Sequence, residues 1–268
     1  MKNLITRLFS RREAQIKTQK PELPEGQRLY CIGDIHGRYD LLQEIHTIIL
    51  KDSQDYLHPV TVVYMGDYID RGAQSKEVID YLLSNPLPLF QSVFLMGNHE
   101  QILLEFLFSP NCPRTVMWLG FGGLSTLASY GVQVLGIPHA GVIKKIRQQF
   151  KQKIPDSHVR FFQQMKAFYE KGGYYFAHAG VRPKVRLSRQ KREDLLWIRE
   201  GFLESKLFHG KVIVHGHSVT DEPVIRDNRI GIDTGAYDSG LLTCLVLEGK
   251  EQRFFSTKAK DKDMKGCD

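Results

Sequence analysis

The sequence predicts an α/β protein, and three observations carry that expectation. From residue 29 onward, short runs rich in Val, Ile and Tyr alternate with stretches of helical periodicity. Nearly every apolar run stops at a Gly, Asp or His. No internal repeat or low-complexity segment interrupts the rhythm. Such alternation implies layers of strands and helices, in which ligands lie beyond the carboxyl ends of the strands, where these polar residues fall.

The elements follow in chain order. Leu29 to Ile32 reads as a strand running into Gly33 and Asp34, and Leu41, Leu42, Ile45, Ile48 and Ile49 then recur at helical spacing. Val60 to Met65 is a second strand, before Gly66 and Asp67; Ser75 is placed to N-cap a helix carrying Val78, Ile79, Leu82 and Leu83. Ser92 to Met96 is a third, before Gly97, Asn98 and His99. Residues 109–172 break the pattern: they read as a helical insertion, with Gly122, Gly123 and a helical stretch from Ser157 to Lys171, covering the site but bringing no chemistry. A second series of strands resumes with Tyr174 to Ala177 before His178, Val212 to Val214 before His215-Gly216-His217, and Ile230 to Ile232 before Asp233.

With 268 residues, 42% hydrophobic and 25% charged, the chain can bury a sizeable core, which excludes disorder, collagen-like repetition and a coiled coil as readings of the whole. No apolar run approaches the ~20 residues of a membrane span, and Arg7, Arg11 and Arg12 interrupt the apolar N-terminal residues, so a cytoplasmic protein is expected. Cys31, Cys112, Cys244 and Cys267 lie far apart, which argues against disulfides and thiolate zinc sites. The net charge of +7 favours anionic partners, and much of it sits at the ends. The expected organisation is a flexible basic extension over 1–25, a catalytic domain over 26–257 and a basic tail over 258–268. Residues 2–16 interleave apolar and basic side chains and could lie on an acidic membrane surface, although a frayed extension is the simpler reading.

Five motifs carry the chemistry. Gly33-Asp34-Ile35-His36-Gly37 sets a carboxylate and an imidazole where both can face one metal. Gly66-Asp67-Tyr68-Ile69-Asp70-Arg71-Gly72 adds two acids and a cation, and Gly97-Asn98-His99-Glu100 a neutral oxygen donor and an imidazole. His178 and His217 supply two further nitrogens. An Asp or Asn after a strand often caps the next helix, and a lone His is usually no ligand. Five such motifs, each at a strand end, point instead to a centre with two metals.

These segments resemble the signature blocks of the phosphoprotein phosphatases, the serine/threonine protein phosphatases among the calcineurin-like metallophosphoesterases, and most closely their prokaryotic and phage-type members, over about Leu29 to Leu247. The resemblance implies a fold of two packed mixed sheets flanked by helices in four layers. It implies that Asp34 and His36 hold one metal, that Asp67 bridges both, and that Asn98, His178 and His217 hold the second. It also implies that His99, paired with Asp70, is the general acid, that Arg71 and Arg199 grip phosphate, and that Tyr237 touches substrate. The ions expected are divalent, manganese first, with iron or zinc as alternatives. Met96 stands where the family usually has Arg, and Phe121 where the phage-type pattern has Asn before Gly-Gly; Arg182 is a candidate to replace the missing cation, although a surface loop charge beside Pro183 is the simpler reading. His215 reads as a supporting residue behind His217, while His46, His58, His139, His158 and His209 read as helix or surface histidines.

The function so implied is removal of phosphate from phosphoserine or phosphothreonine proteins, by in-line attack of a metal-bound hydroxide with His99 protonating the leaving group. A dinucleoside polyphosphate hydrolase, such as one cleaving diadenosine tetraphosphate, resembles the same blocks; the acid at Asp70 favours the phosphatases. A third reading, a module without catalysis that recognises phosphorylated partners or nucleic acid, would show a lost ligand, and none is lost. Nucleic acid is not an expected partner, because no basic stripe interleaved with stacking aromatics is evident.

Overall fold

The computed structural model describes residues 21–109, 113–134 and 140–258. The first half runs β1 (Arg28–Ile32), α1 (Tyr39–Ser53), β2 (Val60–Tyr64), α2 (Ser75–Leu83), β3 (Gln91–Phe94) and α3 (Asn98–Phe108). Helices α4 (Arg114–Trp118), α5 (Leu124–Ser129), α6 (Ala140–Lys153) and α7 (Asp156–Gln164) follow. The second half runs β4 (Phe168–Lys171), β5 (Tyr174–Ala177), α8 (Arg192–Trp197), β6 (Val212–His215), β7 (Val224–Ile225), β8 (Arg229–Gly231) and α9 (Ala236–Ser239). Strands β9 (Thr243–Glu248) and β10 (Glu251–Ser256) close the described chain.

The strands form two five-stranded mixed sheets, in the orders β10-β9-β1-β2-β3 and β4-β5-β6-β8-β7. Within them β1, β2 and β3 run parallel, as do β5, β6 and β8, and the remaining strands pair antiparallel at the margins. The period of two in β1 explains the layering: Leu29 and Cys31 pack between the sheets with Val63, Phe176, Val214 and Leu245, while Tyr30 and Ile32 face the helices with Leu42, Ile45 and Ile79. With both faces buried, β1 and β2 read as continuous apolar runs. The outer face of the second sheet buries Tyr175, Ala177 and Ile213 against Leu195 and Phe202. Each large side chain so enclosed stabilises the fold by roughly 1.5–3 kcal/mol.

Three expectations need correction, and one element is new. The helix expected from Ser157 to Lys171 ends at Gln164, because Lys166 exchanges backbone hydrogen bonds with β3 (Lys166 N to Phe94 O 2.9 Å, Met96 N to Lys166 O 2.8 Å) and Phe168–Lys171 pairs with β5. Ser75 is the first residue of α2 and not its N-cap, which is Gln74; its hydroxyl accepts from the Asp70 backbone N–H at 3.0 Å. The domain begins before residue 26: Leu23 is buried, its N–H bonds Gly249 O at 2.8 Å, and Gly173 N bonds Glu22 O at 2.8 Å. The hairpin β9–β10, which pairs with the open edge of β1, was not anticipated. Residues 1–20 and 259–268, and with them the membrane-surface segment 2–16, His139, Cys112 and Cys267, lie outside the described residues. Among the described residues no helix is long and apolar enough to cross a membrane.

Candidate metal centre

The carboxyl ends of the two parallel strand sets open on the same edge of the sandwich. Residues past β1, β2 and β3 therefore meet residues past β5, β6 and β8. Hydrogen bonds join the two sheets there: His178 Nδ1 donates to Met65 O at 2.9 Å, and His217 N–H to Asp34 Oδ2 at 3.0 Å. The loops turn sharply. Among the described residues seven non-glycine residues have positive φ, and five of them are His36, Asp67, Asp70, Arg71 and His217. Such conformations cost roughly 1–3 kcal/mol each and persist where surrounding contacts impose them. Here Glu100 supplies many of those contacts, its buried carboxylate accepting the backbone N–H groups of Asp67, Tyr68, Ile69 and Gly97 at 2.8–3.3 Å.

Asp67 is the geometric centre. Its Oδ2 lies 3.6 Å from His36 Nε2, 3.8 Å from His99 Nε2 and 3.4 Å from His178 Nε2. Two sets of ligand atoms share it: His36, Asp67 and His99, and Asp67, His178 and His217, each within 4.8 Å. Asn98 joins the second set, its Oδ1 2.9 Å from His178 Nε2. His36 Nδ1 donates to Ile69 O at 2.8 Å, which leaves the Nε2 lone pair directed at the centre. Asp34 Oδ2 accepts the His217 N–H at 3.0 Å, and His99 stands beside His36 and Asp67.

Burial lowers His36 to about 3 and His217 to about 2, so both are neutral donors. Burial, with Asp233 and Asp67 adjacent, pushes Asp34 well above the usual carboxylate range. Burial would raise Asp67 too, but His178 and His99 outweigh it and hold it well below that range. The residues present fit divalent cations: Asp34 Oδ1 is buried with no hydrogen-bond partner, and carboxylates, neutral imidazoles and one amide oxygen form a mixed oxygen and nitrogen donor set.

His99 Nδ1 bonds Asp70 Oδ2 at 2.6 Å; burial works to lower this imidazole, yet Asp67 and Asp70 raise it. Asp70 is itself fully enclosed, and its other partners come from the insertion read as chemically silent. Trp118 Nε1 donates to Oδ2 at 2.6 Å and the Thr126 hydroxyl to Oδ1 at 2.5 Å. Gly122, at φ 111°, accepts the Arg71 N–H at 3.3 Å, and a Cβ there would stand 2.6 Å from that nitrogen. The insertion thus holds the acidic loop. A buried Trp needs a partner for its N–H, the one signal that could have exposed this role.

Arg71, Tyr237 and Arg199 lie against the imidazoles of the centre or against one another. Arg71 lies 4.5 Å from the ring of Tyr237, which also meets His36 edge-on at 5.5 Å. Arg199 donates from Nε to His217 Nε2 at 3.1 Å and from Nη2 to His217 O at 2.9 Å. A cation taking that imidazole lone pair displaces only the first of these bonds. His215 stays behind the site, with Nδ1 3.1 Å from Gly216 O and Nε2 3.3 Å from Arg229 Nη1. Arg182 does not replace the cation missing at Met96, because it pairs with Asp194 on α8.

A family model described as calcineurin-like phosphoesterase matches residues 27–239. The chain is 27% identical over 234 residues to the asymmetrical bis(5'-nucleosyl)-tetraphosphatase PrpE of Anoxybacillus flavithermus, which covers 80% of this chain and 88% of that protein. It is 36% identical over 106 residues to serine/threonine-protein phosphatase 2 of Escherichia coli, 39% of this chain and 43% of that one. The solved structure of a cold-active protein-tyrosine phosphatase of a psychrophilic Shewanella shares the fold, with a TM-score of 0.54 at 15% identity, covering 92% of this chain and 84% of that one. A family match across most of the chain, on a double sheet whose loops gather these side chains, establishes that the chain belongs to the calcineurin-like phosphoesterase family.

Proposed function

We propose that the protein is a metal-dependent phosphomonoesterase acting on phosphoserine and phosphothreonine in proteins. Asp34, His36, Asp67, Asn98, His178 and His217 would hold two divalent ions, manganese first among those the donor set suits. Bound there, such ions would supply Lewis acidity, polarising phosphoryl oxygens and acidifying water.

One observation carries the reading: the 2.6 Å contact between His99 Nδ1 and the enclosed Asp70 carboxylate. With Nδ1 committed to Asp70, His99 presents Nε2 to the centre, 3.8 Å from Asp67 Oδ2, as the proton donor. A serine or threonine alkoxide is a strong base and needs that proton as its bond breaks, a service worth typically ~10²- to 10⁴-fold. A nucleotide leaving on a phosphate oxygen is a weak base and needs it far less. Arg71 and Arg199 flank the centre and would orient the phosphate, and Tyr237 stacks on Arg71 to fix its direction.

Likeness to PrpE over most of the chain favours a second reading, asymmetrical cleavage of dinucleoside tetraphosphates. Purified protein supplied with manganese, iron or zinc and offered phosphoserine, phosphothreonine and phosphotyrosine peptides beside diadenosine tetraphosphate separates the two. The higher kcat/KM is expected on the phosphoserine and phosphothreonine peptides; preference for the dinucleotide would reverse the order.

A further inference from the structure

The described residues outside 182–192 carry a small excess of acid, yet those eleven hold Arg182, Lys184, Arg186, Arg189, Lys191 and Arg192 and no acid at all. All six cations are exposed, while Val181 is buried and Pro183, Val185 and Leu187 between them are half-buried. Arg182 is paired with Asp194; the other five make no salt bridge among the described residues. The segment is also built to hold its shape. Gln190 accepts from the Arg182 N–H at 2.8 Å and donates to Arg182 O and Val185 O, each at 3.0 Å.

Both feet of this ridge stand at the centre. It departs just after His178 and returns through α8, which ends two residues before Arg199. Ala179 N–H bonds Leu195 O at 2.8 Å, and Trp197 Nε1 donates to Gln101, two residues beyond His99, at 3.0 Å. Five helical steps of about 1.5 Å from Arg192 to Trp197 and two extended residues of about 3.3 Å place the α8 N-terminus and its flanking cations within about 14 Å of Arg199. An extended peptide covers that span in about four residues.

We infer that this ridge is an interaction surface for acidic residues flanking the phosphorylated residue, three to five positions away from it. The inference rests on the phosphoprotein reading above and deepens it. Unpaired, pre-positioned cations at a rim attract carboxylates without the cost of first breaking internal ion pairs. The ridge lacks any aromatic residue, so it offers no stacking platform for bases.

The test compares two phosphothreonine peptides that differ only in Glu or Gln at positions three to five away, on either side. Wild type is set beside the R189Q/K191Q/R192Q variant, with p-nitrophenyl phosphate as a substrate that does not reach the ridge. The expected result is about tenfold higher kcat/KM for the acidic peptide at low salt, shrinking towards unity by ~0.3 M salt as screening shortens to a few ångströms. The variant loses the preference and keeps its aryl phosphatase activity. Equal turnover of both peptides by wild type would overturn the inference and leave the phosphoprotein reading standing, as would a preference that survives in the variant. Turnover of neither peptide while diadenosine tetraphosphate is cleaved would overturn both. A variant defect confined to the dinucleotide, or to binding of phosphatidylserine vesicles, would assign the ridge elsewhere and overturn the inference.

Discussion

Trp118 donates its indole N–H to the same Asp70 oxygen that His99 holds, and both bonds measure 2.6 Å. Trp118 and Asp70 sit 48 positions apart, on opposite sides of the boundary between the first strand series and the insertion. One carboxylate thus couples the insertion to His99.

Trp118→Phe removes one charged hydrogen bond from an enclosed carboxylate, which costs about 2 kcal/mol in stability. The expected outcome is a lower denaturation midpoint together with a reduced kcat on phosphothreonine peptides. A variant as stable and active as wild type would show that Asp70 does not depend on the indole.

His99→Asn should slow hydrolysis of alkyl phosphates by ~10²- to 10⁴-fold while slowing activated aryl phosphates far less. Parallel assays on a phosphoserine peptide and p-nitrophenyl phosphate check this. Equal losses on the two substrates would remove the proton-donor role.

Asp34 is buried beside Asp67 and Asp233 with one oxygen lacking a partner, so its charge is costly unless a cation joins it. Asp34→Asn is expected to raise the melting temperature of chelator-treated protein and to diminish the further rise that added manganese causes in wild type. Scanning fluorimetry with and without metal reads both effects.

Gly122→Ala puts a methyl group against the Arg71 nitrogen, at a φ of 111° that L-residues avoid. We expect weaker inhibition by inorganic phosphate and a raised KM, with melting temperature shifted by only a few degrees. Unchanged KM would mean that Arg71 is positioned by its own loop alone.

His46, on α1, is buried between the hydroxyls of Tyr64 at 3.0 Å and Tyr81 at 3.3 Å, and burial lowers it to about 4. Its folded value is depressed below the unfolded ~6.5, so the stability it contributes is present above pH 6.5 and is lost as pH falls through about 4. The loss is on the order of 3 kcal/mol. Urea midpoints measured across that window should fall, and His46→Gln should flatten the slope.

Much of this centre was legible in the chain because strands end where their polar residues begin. Asp34, His36, Asp67, Asn98, His178 and His217 each follow an apolar run, and parallel strands bring such ends to one edge. Other assignments were not legible, because their signals are single residues without a period. Trp118 and Thr126 look like ordinary helix residues until α4 and α5 fold over Asp70, and Glu100 looks like the tail of a motif until four loop N–H groups converge on it. β4 carries a helical pattern that yields to hydrogen bonds with β5, a partner its own sequence does not encode.

The residue types, their order and their places at strand ends were determined by the sequence alone, since local periodicity and turn chemistry act over a few positions. Which oxygen of Asp67 faces three imidazoles and which helix secures Asp70 were decided by the tertiary structure. Those relationships join segments tens of residues apart, and only packing of the two sheets sets the distances across them.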